Sequence, residues 1–415
     1  MDRAAHALDS LIFGSLHFGG ELSRRDMSST QEVKGRLFFA HGNDVVYSKI
    51  DARNGAIGIV PESMPRVVFS SEYPIYAVDG KAALPEYVKL LFRMDSFRTR
   101  INSLISGASG RKRVEPSTLE SIEVPLPPLD TQRAIVAHWR EAQEKVAASA
   151  KTSEEQDADI EVRLLECLGI KVQRGQLKQK VIAVTWQNLG RWSVGFHQHR
   201  LLAANPNDGA YPVSQLSDIA FVTYGIQKAP SNRPGTHPHP YLRVANVQRG
   251  ALDLETIKYI NVPPEDFQRF KLFSGDLLVC EGNSADLVGR PAIWNEEIHN
   301  CVHQNHLLRV RVNREVVIPE FLLHWMSLPP ARSHFRSRAK ATTNLSSINS
   351  VDLRELPVSL PPIAIQKKLV AEVTAARKRI AAERAAAAKL AADTAREVEE
   401  MILGHRPVPV TKARA

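Results

Sequence analysis

Between residues 36 and 70 the chain runs in short blocks of Val, Ile and Phe separated by Gly, Asn or Pro. The blocks are Arg36 to Ala40, Asp44 to Ile50, Ala56 to Val60 and Arg66 to Ser70. Apolar, β-branched runs of this length bounded by turn formers predict strands. The period then changes: Tyr87, Leu90, Leu91, Met94 and Phe97 recur at three- and four-residue spacing, which predicts a helix over Pro85 to Ile105. Pro125, Pro127 and Pro128 follow as a stiff extended connector, because each fixes its own φ and disfavours helix in the residue before it. From Asp130 to Gly169 the pattern is helical again, with Asp130 placed to cap and Gly169 to stop. Ile135, Val136, Trp139, Val146 and Ile160 form its apolar stripe.

The second half repeats this plan. Val124-Pro125-Leu126-Pro127-Pro128-Leu129-Asp130-Thr131-Gln132-Arg133-Ala134-Ile135-Val136-Ala137 returns 234 residues later as Val358-Ser359-Leu360-Pro361-Pro362-Ile363-Ala364-Ile365-Gln366-Lys367-Lys368-Leu369-Val370-Ala371. Leu84-Pro85-Glu86-Tyr87 matches Ile318-Pro319-Glu320-Phe321, Gly55 falls on Gly289, and with a slip of two Asn43-Asp44-Val45-Val46 falls on Gly275-Asp276-Leu277-Leu278. A period this long excludes solenoid repeats, whose units run to tens of residues. A duplicated unit of globular domain plus long helix explains it.

The expected organisation is a first domain over 1–124, a connector and long helix over 125–170, and a linker over 171–180. A second domain over 181–357, a second connector and long helix over 358–404, and a basic tail over 405–415 complete it. Each helix, near forty residues, is roughly 60 Å long. Leu369, Val370, Val373, Ile380, Leu390, Val398 and Met401 form the second apolar stripe, and alanines at 381, 382 and 385–388 allow close approach. Burying the two stripes against each other is the simplest solution. The fold class expected is therefore α/β (α+β): two mixed domains separated by two long helices packed as an antiparallel coiled coil, with a pseudo-twofold internal repeat. Two ordinary linker helices, each packed on its own domain, are the alternative.

Charge changes this picture once it is localised. The whole chain carries +9, but Asp130 to Gly169 holds five Lys/Arg against nine Asp/Glu, and Ile363 to Leu403 eight against six. The basic excess therefore sits in the globular parts, as expected if they touch phosphates, or if they keep a solvated basic surface. Cys167, Cys280 and Cys301 are too few and scattered for a disulfide framework. No apolar run approaches a membrane span. The opening residues, with Asp2 and Asp9 around a short apolar stretch, lack a cationic signal-peptide start, so the cytoplasm is expected.

The repeated connector-helix signature, L-P-P-[LI]-x-x-Q-[RK]-x-[IL]-V, resembles that of the specificity subunit of type I restriction–modification systems. Tyr211-Pro212-Val213-Ser214-Gln215-Leu216-Ser217-Asp218-Ile219 resembles the opening of that family's target-recognition domain. Tyr241-Leu242-Arg243-Val244-Ala245-Asn246-Val247 and Gly275-Asp276-Leu277-Leu278-Val279 resemble its next landmarks. The resemblance implies that each domain is a target-recognition domain reading one half of a bipartite double-stranded DNA sequence. It implies that the helices set the spacing and bind two modification (methyltransferase) subunits, and that restriction subunits can join. S-adenosylmethionine, and ATP with Mg for restriction, are then expected in the partner subunits, with no cofactor on this chain. About 95 residues separate Val181 from Gly275, but only 42 precede Asn43, so the first recognition domain is expected to be shortened by roughly fifty residues.

Candidate DNA contacts are loop-borne basic and amide residues, since Arg pairs with guanine and Asn or Gln with adenine in the major groove. In the first half these are Lys49, Arg53 and Asn54 around a turn, and Arg111, Lys112 and Arg113 before the connector. In the second they are Gln227, Lys228, Arg243, Asn246, Asn283 and Arg290, with the strongest group at Arg332, Arg336, Arg338 and Lys340, followed by Thr343 and Asn344. A plain surface role competes for each. No nucleotide-binding G-x-x-x-x-G-K-[ST] loop, G-x-G-x-x-G fingerprint or Asn-Pro-Pro-aromatic tetrad occurs. His299, Cys301, His303 and His306 match no standard zinc spacing and read as structural, as do His197, His199, His237 and His239. The chain reads as non-catalytic. A stand-alone sequence-specific DNA-binding protein, or a diverged nuclease or methyltransferase subunit, are the competing functions.

Overall fold

The computed structural model describes residues 11–25, 36–104, 113–171, 205–229, 233, 235–284, 287–341 and 346–409. It is a mixed α+β chain with two helices far longer than the rest, Leu129–Cys167 and Ile363–Ile402. Two compact units divide it: Met1–Thr152 with Ala382–Ala415, and Ser153–Ala381. Each long helix thus gives part of its length to each unit.

In the first unit a three-stranded antiparallel sheet takes the order Ile57–Ile59, Val45–Tyr47, Ile75–Tyr76, beside the ribbon Leu37–His41 with Arg66–Ser70. The strand Val45–Tyr47 is four residues shorter than the block Asp44 to Ile50, because Ser48 onward turns into the short 3-10 helix Ala52–Asn54, which Gly55 ends at a φ of 91°, whereas Arg66–Ser70 matches its block. The sheet is buried on both sides. Val45 and Tyr47 point into a core with Tyr87, Leu90 and Phe97, while Val46 points into another with Ala40, Val67 and Phe69. This is why Val45-Val46-Tyr47 is apolar without alternation. Into the first core come Ile135 and Val136 of the first long helix and Val398, Met401 and Ile402 of the second.

The single helix expected over Pro85 to Ile105 is two, Pro85–Leu91 and Asp95–Leu104. The break is held from outside the segment. Glu399 of the second long helix accepts from the backbone N–H groups of Asp95 (3.1 Å) and Ser96 (2.9 Å), satisfying the start of the second piece. Asp130 does not cap the first long helix; it lies within its first turn, where its charge still suits the positive helix end. Gly169 does stop it, at a φ of 71°.

The second unit is built on a four-stranded antiparallel sheet ordered Pro291–Ile293, Leu277–Cys280, Leu307–Val312, Ala220–Tyr224. It too is buried on both faces: Leu277 and Val279 face the largest core, Leu278 and Cys280 another with Trp294 and Leu307. The largest core takes in Ile160, Leu164, Leu165 and Leu168 of the first long helix and Leu369, Val373 and Ile380 of the second. Leu390, counted in the second stripe, is instead 37% exposed. A side sheet pairs Pro238–Leu242 with Lys258–Asn261 and, in parallel, with Val302–His303.

One local hydrogen-bond pattern occurs once in each unit. Asn43 and Gly275 both take left-handed backbone, at φ of 73° and 91°. The carboxylate that follows each accepts from the N–H three residues back at 2.8 Å, Asp44 from His41 and Asp276 from Phe273.

Candidate nucleic-acid interface

The strongest basic group lies in the second unit. The helix Pro329–Arg338 starts on two prolines, where a missing N–H costs nothing, and buries Pro330, Ala331 and Phe335. Phe335 lies against Gly289, whose φ is 73° and whose added Cβ would come within 2.4 Å of the ring. With one face so committed, Arg332, Arg336 and Arg338 are left on the others. Arg336 and Arg338 stand in the last turn, where cations suit the negative helix end. The chain then enters a small sheet ordered Gly282–Asn283, Ser346–Ser347, Lys340–Ala341. Asn283 and Lys340 are thus brought onto one sheet from segments far apart in sequence. Thr343 and Asn344 lie outside the described residues.

Arg332 and Arg338 are held by carboxylates. Arg332 grips Glu161 of the first long helix with both guanidinium nitrogens, at 3.1 and 2.8 Å, and Arg338 pairs with Glu355 at 2.7 Å. Arg336 and Lys340 are exposed.

A fifth cation, Arg249, was not singled out by sequence. It sits between the paired segments Val247–Gln248 and Ala251–Leu252, beside Gly250 at a φ of 76°. Burial pushes its guanidinium below the usual arginine range; Arg332, Arg336 and Arg290 push the same way, and Glu161 opposes them. Arg290, Arg332 and Arg336 are therefore close enough to Arg249 to act on it, as is Glu161. The only sequence signal was an Arg next to a turn glycine, which many surface hairpins share.

Asn246 and Arg290 must be reassigned. Asn246 is 2% exposed; its Oδ1 accepts from Arg243 N at 3.0 Å and its Nδ2 donates to Asp253 O (2.8 Å) and Thr256 O (3.1 Å). Its amide is spent on building a turn and has nothing left for a base edge. Arg290, 8% exposed, donates to Gln248 Oε1 at 3.3 Å and Val244 O at 3.2 Å, so it is tied to the segment leading into the Arg249 hairpin. Arg243 donates to Thr256 O at 3.4 Å, and Asn283 Oδ1 accepts from Ser284 N at 2.9 Å. Gln227 and Lys228 are exposed beyond the strand Ala220–Tyr224.

The first unit presents a balanced patch. Lys49 pairs with Glu115 at 3.0 Å, and Arg113 with Glu72 and, at 4.0 Å, with Glu115. Two cations there face two carboxylates, so Lys49 and Arg113 add little positive field. Arg53 and Asn54 are exposed on the 3-10 turn, Asn54 donating to Asp51 Oδ1 at 3.4 Å. Arg111 and Lys112 lie outside the described residues.

His303 is fully buried, and that burial, with Arg309 adding to it, pushes its ring down to about 3; it is a neutral core histidine. Burial likewise pushes the Cys301 thiol up to about 12, and His306 is paired with Glu281 at 2.7 Å. His239 stacks on Phe267 with ring centroids 4.3 Å apart; His197 and His199 lie outside the described residues. Among the described residues no three His, Cys, Asp or Glu side chains group to hold a metal, and no helix is long and apolar enough to cross a membrane.

Comparison with known proteins places this geometry in context. The type I restriction modification DNA specificity domain matches residues 26–141. The type I restriction enzyme EcoKI specificity subunit of Escherichia coli K12 is 26% identical over 280 residues, 67% of this chain and 55% of that one. A putative type I restriction enzyme MjaX specificity subunit of Methanocaldococcus jannaschii is 28% identical over 160 residues, 38% of this chain and 37% of that one. The chain spans a little over half the length of the EcoKI and StySPI specificity subunits it matches, and 37% of the MjaX one. A chain solved in work on complex assembly and conformational transition of the type I R-M system shares the fold, with a TM-score of 0.57, 17% identity, and coverage of 92% of this chain and 85% of that one.

Proposed function

We propose that this chain, which belongs to the type I restriction–modification specificity-subunit family, is the DNA-reading subunit of such a complex, each unit reading one half of a bipartite double-stranded target. It is non-catalytic. Methyl transfer from S-adenosylmethionine belongs to two modification subunits, and ATP- and Mg-dependent cleavage to restriction subunits that can join, all in the cytoplasm. The observation that carries the reading is the arginine group of the second unit. Arg290, Arg332 and Arg336 all act on Arg249, with Glu161 opposing them, so several cations converge on one hairpin of the second unit, as suits a phosphate backbone. Lys340 and Asn283 on the small sheet, with Gln227 and Lys228, are the candidates for positioning and base contact around it. In the first unit Arg53 and Asn54 take that part.

The two units are products of an internal duplication. The matching left-handed turns at Asn43 and Gly275, each followed by a carboxylate bonded three residues back, support this. The long helices pair as an antiparallel coiled coil that sets the half-site spacing and carries the modification subunits. In support, the start of the first helix shares a core with the end of the second, and the end of the first with the start of the second.

The test is a genome-wide map of adenine methylation in the source organism with the gene intact and deleted. Loss of a bipartite motif on deletion is the expected result. An unchanged map, with no methyltransferase recovered on the tagged chain, would overturn the reading.

A further inference from the structure

Each long helix opens next to a glutamine that is fully buried, Gln132 in the first and Gln366 in the second. In the first unit Gln132 Oε1 accepts from the backbone N–H of Leu84 at 2.9 Å, and Nε2 donates to Ala82 O at 2.9 Å and Pro127 O at 2.8 Å. In the second, Gln366 Oε1 accepts from Ile318 N at 3.0 Å, and Nε2 donates to Val316 O at 2.9 Å and Pro361 O at 2.8 Å. Every partner in one set is the repeat counterpart of a partner in the other. Both hydrogens and the oxygen of each amide are used; only the carboxamides of Asn and Gln offer two donors and an acceptor in that fork, and Gln has the longer reach.

The partners identify what is being joined. Leu84 and Ile318 are the N-cap residues of helices Pro85–Leu91 and Pro319–Ser327, and each contributes an N–H that the following proline cannot. Ala82 and Val316 end the loops leading into those helices. Pro127 and Pro361 belong to the proline connectors. The backbone N–H of each glutamine bonds into its own long helix, Gln132 to Pro128 O at 3.1 Å and Gln366 to Pro362 O at 3.0 Å. One side chain thus ties a globular part, a connector and a long helix together, away from water, where the bonds are directional and costly to leave unmade.

We propose that Gln132 and Gln366 are the joints that fix each globular part to its long helix, and that they are positioning residues for the separation at which the two half-sites are read. The second clause rests on the DNA-recognition reading above. Proline connectors alone stiffen the chain but leave the torsions after them soft; the glutamine removes that freedom before DNA is met.

The experiment uses the full chain carrying Cys167→Ser, with spin-label pairs at exposed Lys89 and Glu141 for the first joint and at exposed Glu320 and Lys368 for the second. Gln132→Met and Gln366→Met keep volume and remove the amide; Gln132→Asn and Gln366→Asn keep the amide but withdraw it, should the methionine variants fail to fold. Broadened label distances in folded variants are expected, and unchanged widths overturn the joint. In the source organism, methylation of the native motif is compared with that of motifs whose spacer is one base pair longer or shorter. Lost positioning lowers that ratio roughly tenfold, the equivalent of ~1.4 kcal/mol, whereas a merely structural role lowers all spacers together and overturns the spacing clause. Absence of bipartite methylation in wild-type cells overturns the recognition reading and the spacing clause with it, while the label widths still decide the joint.

Discussion

Asn246 and Arg290 carry the groups that read base edges, yet both are buried and bonded to the chain's own carbonyls. Arg332 and Arg338 are half-committed in another way, each held by a carboxylate. Arg336 and Lys340 are the exposed cations of that group whose removal leaves these ion pairs in place. The double variant Arg336→Ala with Lys340→Ala is therefore expected to leave the Arg332–Glu161 and Arg338–Glu355 pairs in place and to weaken binding to all duplex DNA. If both side chains meet phosphates, the slope of log K against log salt drops by about 1.8, from roughly 0.9 per contact. Fluorescence anisotropy over a salt series checks this, and an unchanged slope removes the pair from the interface.

At the level of single elements, the break between Pro85–Leu91 and Asp95–Leu104 depends on a residue more than three hundred positions away in sequence, Glu399. Burial alone would raise its carboxyl, but the bonds donated by Ser96 and Asp95 outweigh it and hold the group below the usual glutamate range. A depressed carboxylate stabilises the fold above its unfolded value, near 4.3, and that contribution is lost as the pH falls through the folded value. Glu399→Gln is expected to cost about 1 kcal/mol near neutrality, as for a lost helix cap, and to flatten the decline of stability below about pH 4.3. Urea midpoints of the two proteins across pH 3 to 7 measure both effects. A variant as stable as the parent at pH 7 would show that the second helix piece starts without this cap.

For the second unit as a whole, burial keeps three histidines neutral. His303 is pushed down to about 3 and His324 to about 4, burial leading in both, and His334 is lowered for the same first reason. In the unfolded chain they take up protons near pH 6.5. The folded state cannot follow, so stability is complete above about 6.5 and falls as the pH drops toward 4, by up to about 1.4 kcal/mol per pH unit for each of His303 and His324, with His334 acting in the same direction. Carboxylates such as Glu399 act below this window. A urea midpoint flat between pH 7 and 5 would contradict neutral burial, and His324→Leu should shallow the fall if the account holds.

Local pattern and the 234-residue recurrence were enough to reveal a mixed α+β chain with two long helices, because period, turn formers and proline connectors act within a few residues of where they stand. The Gly169 stop and the Arg66–Ser70 strand are of that kind. The same recurrence, with its order of landmarks, pointed to the family. What stayed hidden depends on partners distant in sequence. The helix break needs Glu399, the engagement of Arg332 needs Glu161, and the role of the signature glutamine needs Ala82, Leu84 and Pro127 to converge on it. Arg249 became a candidate only when folding set it beside Arg290, Arg332 and Arg336. An amide or guanidinium has the same formula whether it faces solvent or a buried carbonyl, and only packing settles which of the two it meets.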